Sequence, residues 1–107
     1  MKAISIKESW AELIASGRKT IETRTWKTKF RGDILIVASR KPVTKNSGKA
    51  IAIAEVYDCK PMEKRHEEEA CCEIYDRANS WFLRNIRRID PFPVKGKLNI
   101  YEVDYDG

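Results

Sequence analysis

Ile34 to Ala38 read ILIVA, an unbroken apolar run of strand length with the Arg31-Gly32 turn before it and Ser39 after it. A half-solvated strand alternates apolar and polar residues, so a run with no polar interruption marks a strand buried on both faces. That segment demands a central place in a sheet, with material packed against either side. Lys49 to Tyr57, rich in Ala, Ile and Val, reads as a second strand able to lie beside it.

The other elements follow from periodicity. Ala3 to Ile6 suits a short first strand, and Trp10, Leu13 and Ile14 then recur at i, i+3 and i+4, the stripe of an amphipathic helix. Gly17 stands where a left-handed helix C-cap is wanted. From Thr20 the period becomes two, with Ile21, Thr23 and Thr25 on one side and Glu22, Arg24 and Trp26 on the other. Lys41 to Gly48 reads as a loop, and the charged segment from Met62 to Arg77 as a short exposed helix or an ordered loop. Ser80 to Ile89 fits a helix by Phe82, Ile86 and Ile89, and a strand by Trp81 and Leu83. Pro91 and Pro93 are expected to break the chain before a last strand within Lys97 to Asp104. Five or six short strands with one early helix are too few helices for repeated βαβ units, which leaves a small mixed sheet or a partly closed barrel. With no repeat or linker, residues 1–107 read as one domain.

Lys and Arg number 21 against 16 Asp and Glu, a formal charge of +5 that favours anionic partners. The charge is scattered through Lys27, Lys29, Arg31, Arg40, Lys41 and Lys45, then Arg84, Arg87, Arg88, Lys95 and Lys97. These are either solubilising charge or a positive face for a nucleic-acid strand. Cys59, Cys71 and Cys72 follow no disulfide spacing, and the first residues carry no apolar leader core, so a cytoplasmic location with no membrane association is expected. His66 with Cys71 and Cys72 matches no zinc-ligand spacing, and no phosphate loop or dinucleotide fingerprint occurs. No metal site and no cofactor are expected.

The stretch GRKTIETRTW, Gly17 to Trp26, gathers Lys19, Glu22, Arg24 and Trp26 at one end of the helix. It reads either as a solvated strand face or as a site. A nucleobase needs a flat apolar wall and partners for its polar edge, and Trp, Arg and Glu supply these. Trp81 is a second candidate wall, whereas Trp10 and Phe92 are read as core or cap residues. Glu67, Glu68 and Glu69 form a solvated acidic face or, if the segment folds over, offer a carboxylate to a cleft.

GRKTIETRTWKTKFRGDILIVASRK resembles the signature of the ASCH (activating signal cointegrator homology) domain, a family related to PUA domains. In that signature G-x-K-x-x-E-x-R precedes a strand of the form RGDILIVAS. SWFLRNIRRIDPFPVKGKLNIYEVD is similar to the family's closing strands, with the P-x-P-V-x-G-K turn between them. The likeness spans nearly the whole chain. It implies an α+β fold, a small PUA-like β-barrel of five to six strands with one N-terminal helix and one or two short peripheral helices, and it turns Ser80 to Ile89 toward strand. It also implies a cleft lined by Lys19, Glu22 and Arg24, with Ser39 on its floor; Arg40, from the basic scatter, is a further candidate contact for nucleic acid. The function so implied is binding of a base, nucleoside or short RNA segment. The alternative is a hydrolase in which Lys19 and Glu22 would be catalytic. One enzymatic branch hydrolyses N4-acetylcytidine with a Lys, a Thr and a Glu, and there the threonine lies three positions after the Lys. This chain has Glu22 at that position, so the nucleophile is missing. A second branch is a metal-dependent ribonuclease, for which no metal ligands are evident here.

Overall fold

The computed structural model describes residues 1–105. In chain order the elements are β1 (Lys2–Ile6), α1 (Glu8–Ala15), β2 (Ile21–Arg24), β3 (Gly32–Ala38), β4 (Lys49–Pro61), a single 3₁₀ turn (Lys64–His66), α2 (Glu67–Ala70), β5 (Asn79–Pro93) and β6 (Ile100–Glu102). The strands make one mixed sheet in the order β2-β5-β4-β3-β1-β6, curled into a half-barrel. All pairs are antiparallel except β1 with β3, which the α1 crossover makes parallel.

β3 occupies the place its composition demanded. Ile34, Ile36 and Ala38 face a core shared with Ala11 and Ile14 of α1. Leu35 and Val37 face a second cluster with Ile53, Val94 and Tyr101. The alternation sends successive side chains into two different cores, which is why no polar residue interrupts the run.

α1 ends as expected, with Gly17 at φ +84°, a left-handed conformation that costs an L side chain energy. Gly17 N–H donates to Ile14 O at 2.9 Å and Lys19 N–H to Leu13 O at 3.0 Å. This tight exit delivers Lys19 against the helix rather than into water.

Three boundaries differ from the sequence reading. β4 continues past Tyr57 to Pro61, and β6 shrinks to Ile100–Glu102. β5 runs through Pro91 and Pro93 instead of breaking before them. β2 pairs only with Asn79 to Phe82, so the rest of β5 has β4 on one side and no strand on the other among the described residues. An edge of that kind can spare the N–H groups that proline lacks.

Candidate binding cleft

The curl brings the β2 edge close to the end of β1, and a cleft lies between them. Arg24 spans the gap, its guanidinium Nη2 donating to Ser5 O at 2.9 Å. The outer chamber, about 510 Å³, takes Ser5, Lys7 and Trp10 from one side and Glu22, Thr23, Arg24 and Trp26 from the other, with Ser39, Lys41 and Tyr75 also in its lining. An inner chamber of about 230 Å³ is lined by Lys19 and Cys72, and it shares Trp10, Glu22, Thr23 and Tyr75 with the outer one.

Lys19 is the most constrained charge in the cleft. Only 2% of its side chain is exposed. Nζ donates to Ala70 O at the end of α2, lies 3.7 Å from Glu22 Oε1 and sits 4.8 Å above the Trp10 ring. A buried ammonium is tolerable only with such partners, and here a carbonyl dipole, a carboxylate and a π-face supply them. The other carboxylate oxygen, Glu22 Oε2, accepts from Arg24 Nε at 2.9 Å. Glu22 is therefore held between two cations. An ionised carboxylate has about four acceptor positions, so it keeps capacity for a ligand donor.

The cleft walls are aromatic. Trp26 is half-buried and meets Trp81 edge-on, with ring centroids 4.8 Å apart. Trp81 Nε1 donates to Trp26 O at 3.3 Å. Trp81 itself is 1% exposed within the core, which corrects its reading as a stacking wall: it supports Trp26 from behind. The flat surfaces in the lining are Trp26, Trp10 and Tyr75. Trp10 packs against the main core, as its helical stripe indicated, and in addition lines both chambers, which the stripe alone did not reveal. Tyr75 left no periodic signal at all, since it arrives on the irregular segment after α2.

Of the remaining sequence-predicted residues, Ser39 lines the outer chamber, its N–H bonded to Ile6 O at 2.8 Å and its hydroxyl donating to Lys41 O at 2.9 Å. Arg40 is exposed and lines a neighbouring pocket instead of this cleft. Glu67, Glu68 and Glu69 line neither chamber: Glu67 caps Ile74 N–H at 2.8 Å and Glu69 accepts from Thr20 at 3.3 Å. Among the described residues no group of three or more His, Cys, Asp or Glu is placed to hold a metal ion. His66 is instead buried, its Nδ1 3.0 Å from both Glu63 N and Ser80 Oγ.

Charge pairing separates the basic residues into two groups. On β5, Arg84 bonds Glu55 at 3.0 Å, Arg87 bonds Asp33 at 2.7 Å and Arg88 bonds Glu12 at 2.5 Å. Each of these arginines answers an acidic partner on a neighbouring element, β4, β3 and α1 respectively. Around the cleft, Lys7 and Lys41 have no carboxylate within 4.0 Å among the described residues. The cleft lining therefore carries two cations without an acidic partner, Lys7 and Lys41, whereas the three β5 arginines are each paired.

A curled six-stranded sheet with two short helices and a Lys–Glu–Arg cluster at its open side defines a small α+β half-barrel domain with a polar cleft. Residues 4–93 match the family model of the ASCH domain, and the chain belongs to that family. The fold is shared with the crystal structure of ASCH from Zymomonas mobilis, at TM-score 0.75 and 20% identity over 95% of this chain and 86% of that one. A tyrosine-to-phenylalanine mutant of the same Zymomonas mobilis protein aligns at TM-score 0.71 and 19% identity over 95% and 88%. A serine-to-alanine mutant of it aligns at 0.66 and 18% over 95% and 87%. No curated protein matches this chain at a significant level. Among the described residues no helix is long and apolar enough to cross a membrane.

Proposed function

We propose that this domain binds single-stranded RNA by taking one base into the cleft. ASCH domains are generally associated with RNA, and the observation that carries the reading is the lining itself. Among the described residues Glu22 is the one carboxylate in it, set among Lys7, Lys19, Arg24 and Lys41 and the aromatic walls of Trp10, Trp26 and Tyr75. A base stacks on the aromatic surface. Glu22 accepts from its exocyclic amine, which selects cytosine, adenine or guanine over uracil. Lys7 and Lys41 meet the phosphate at the mouth. Lys19 and Arg24 orient Glu22 from either side, so they act on the ligand through the carboxylate.

The test is fluorescence anisotropy with 5′-labelled octamers of C, A and U. C or A should bind at least about 5-fold more tightly than U, the ratio that about 1 kcal/mol of an unmet hydrogen bond produces. Equal affinity for all three, or affinity unchanged in Trp26→Ala that still folds, would refute the base-in-cleft reading. Cleavage of the labelled RNA, or conversion of N4-acetylcytidine to cytidine, lost in Glu22→Gln would replace it with the hydrolase reading.

A further inference from the structure

Beside the cleft lies a pocket of about 330 Å³ that the Lys19–Glu22–Arg24 cluster does not reach. Its floor is apolar, built from Val37 and Val94, and Leu98 stands at its edge with 89% of its surface in water. Arg40 and Lys97 also line it, no carboxylate does, and neither cation has an acidic partner within 4.0 Å among the described residues. Ser5 and Ser39 are common to this pocket and to the outer chamber of the cleft, so the two cavities are separated by little more than one residue from β1 and one from the end of β3.

We infer that this pocket is a second nucleotide subsite, which receives the base adjacent in the RNA strand to the one held in the cleft. The inference rests on the base-in-cleft reading and extends it from one nucleotide to two. The chemistry divides as a dinucleotide requires. An apolar hollow within the size range of ligand sites takes a ring, and the exposed Leu98 covers its face. Arg40 and Lys97, with Lys41 across Ser39, surround the position of the linking phosphate. A shared wall is what a single covalent ligand needs, because two bases on one strand are separated by one sugar-phosphate unit. A polynucleotide is therefore favoured over a free nucleoside, which would leave this hollow empty and its cations without an anion.

Calorimetric titration of each 3′-mononucleotide and its matching homodinucleotide NpN, for the four RNA bases, tests the subsite. With the base the cleft prefers, the dinucleotide should bind at least about 5-fold more tightly than the mononucleotide, the ratio that burying about 40 Å² of apolar surface in the hollow produces. Leu98→Asn and Lys97→Ala both lie on exposed positions that the core does not use. Leu98→Asn should remove most of that gain while leaving mononucleotide affinity within about twofold of the parent, because only the second base meets that side chain. Lys97→Ala, at the phosphate that both ligands carry, should weaken both alike. A mononucleotide that binds with no gain for the dinucleotide, a gain that survives Leu98→Asn, or a mononucleotide untouched by Lys97→Ala would overturn the second subsite and leave the cleft reading standing. If neither ligand binds, both fall.

Discussion

Lys19→Met isolates what the buried ammonium contributes. The methionine fills comparable volume but deletes the donor to Ala70 O, the charge 3.7 Å from Glu22 Oε1 and the cation above Trp10. Removing one partner of a buried ion pair costs about 3–5 kcal/mol, because the remaining charge is left desolvated. Glu22 keeps Arg24 at 2.9 Å, and the Arg24 side chain is 25% exposed, so the lower end applies, about 3 kcal/mol. The domain should still fold, since stabilities of about 5–15 kcal/mol are usual. Urea unfolding followed by tryptophan fluorescence should show the midpoint falling by about 2 M at unchanged slope, for a slope near 1.5 kcal/mol/M. The double variant Lys19→Met/Glu22→Gln should lose less than the two single losses added, by about 1 kcal/mol or more, because it removes the stranded charge as well as its partner. A single-variant loss below about 1 kcal/mol, or strict additivity, would refute the desolvated cluster and return Lys19 to the status of an ordinary surface lysine. The same experiment decides how binding data on Lys19 variants are to be read, since loss of affinity there mixes ligand contact with loss of the cleft's own support.

Lys41→Ala should weaken RNA binding and reduce the slope of log K against log salt by about 0.7, one phosphate contact on a single strand. Arg84→Ala, whose partner Glu55 lies 3.0 Å away, should change affinity by less than about twofold, and a larger effect would bring β5 into the interface. Stability should fall with acid: hydrogen bonds from Arg84 and then Asn85 hold Glu55 below its ordinary 4.5, the Arg65 bond does the same for Glu63, and bonds from Lys2 and the N-terminal ammonium do so for Glu102. Groups depressed in the folded state bind protons more readily when unfolded, so their contribution is present above pH 4.5 and is lost as pH falls below it. Replacing all three with Gln should flatten the fall in Tm between neutral pH and acid, and an unchanged profile would assign acid lability to other groups.

Elements whose signal is written in their own residues were the legible ones. The apolar run of β3 showed its double burial through its uninterrupted composition, although the side chains that cover it come from α1, β4 and beyond, and Gly17 marked the end of α1 through the conformation its own position requires. GRKTIETRTW declared a period of two and a family motif, and Lys19, Glu22 and Arg24 do converge. What escaped depends on contacts distant in sequence. That Lys19 is anchored by Ala70, 51 residues away, has no local signature. Nor has the pairing of Arg88 with Glu12, 76 residues away, one of three contacts that answer the arginines of an apparently basic strand. Trp81 and Trp26 are equivalent as aromatic letters, and only the register Glu22↔Trp81 decides which ring goes under and which remains at the cleft. Tyr75 and Cys72 join the lining through a segment whose path is set by α2 packing against β2.

Among the described residues the last part of the family motif lies on a strand with one partner. There β2 pairs with β5 alone, Arg24 opposite Asn79 and Ile21 opposite Phe82, whereas β3, β4 and the rest of β5 are joined as successive antiparallel neighbours along the chain. Closing short loops costs less entropy than closing long ones. The connectivity predicts the β3–β4–β5 meander as the folding nucleus, with β2 docking onto it after the rate-limiting step. Contacts formed that late govern how fast a protein comes apart and leave its rate of assembly almost untouched. Substitution of Glu22 or Arg24 is therefore expected to raise the unfolding rate in stopped-flow denaturant jumps and leave refolding nearly unchanged, so that the β2 part of the family motif sets the lifetime of the cleft.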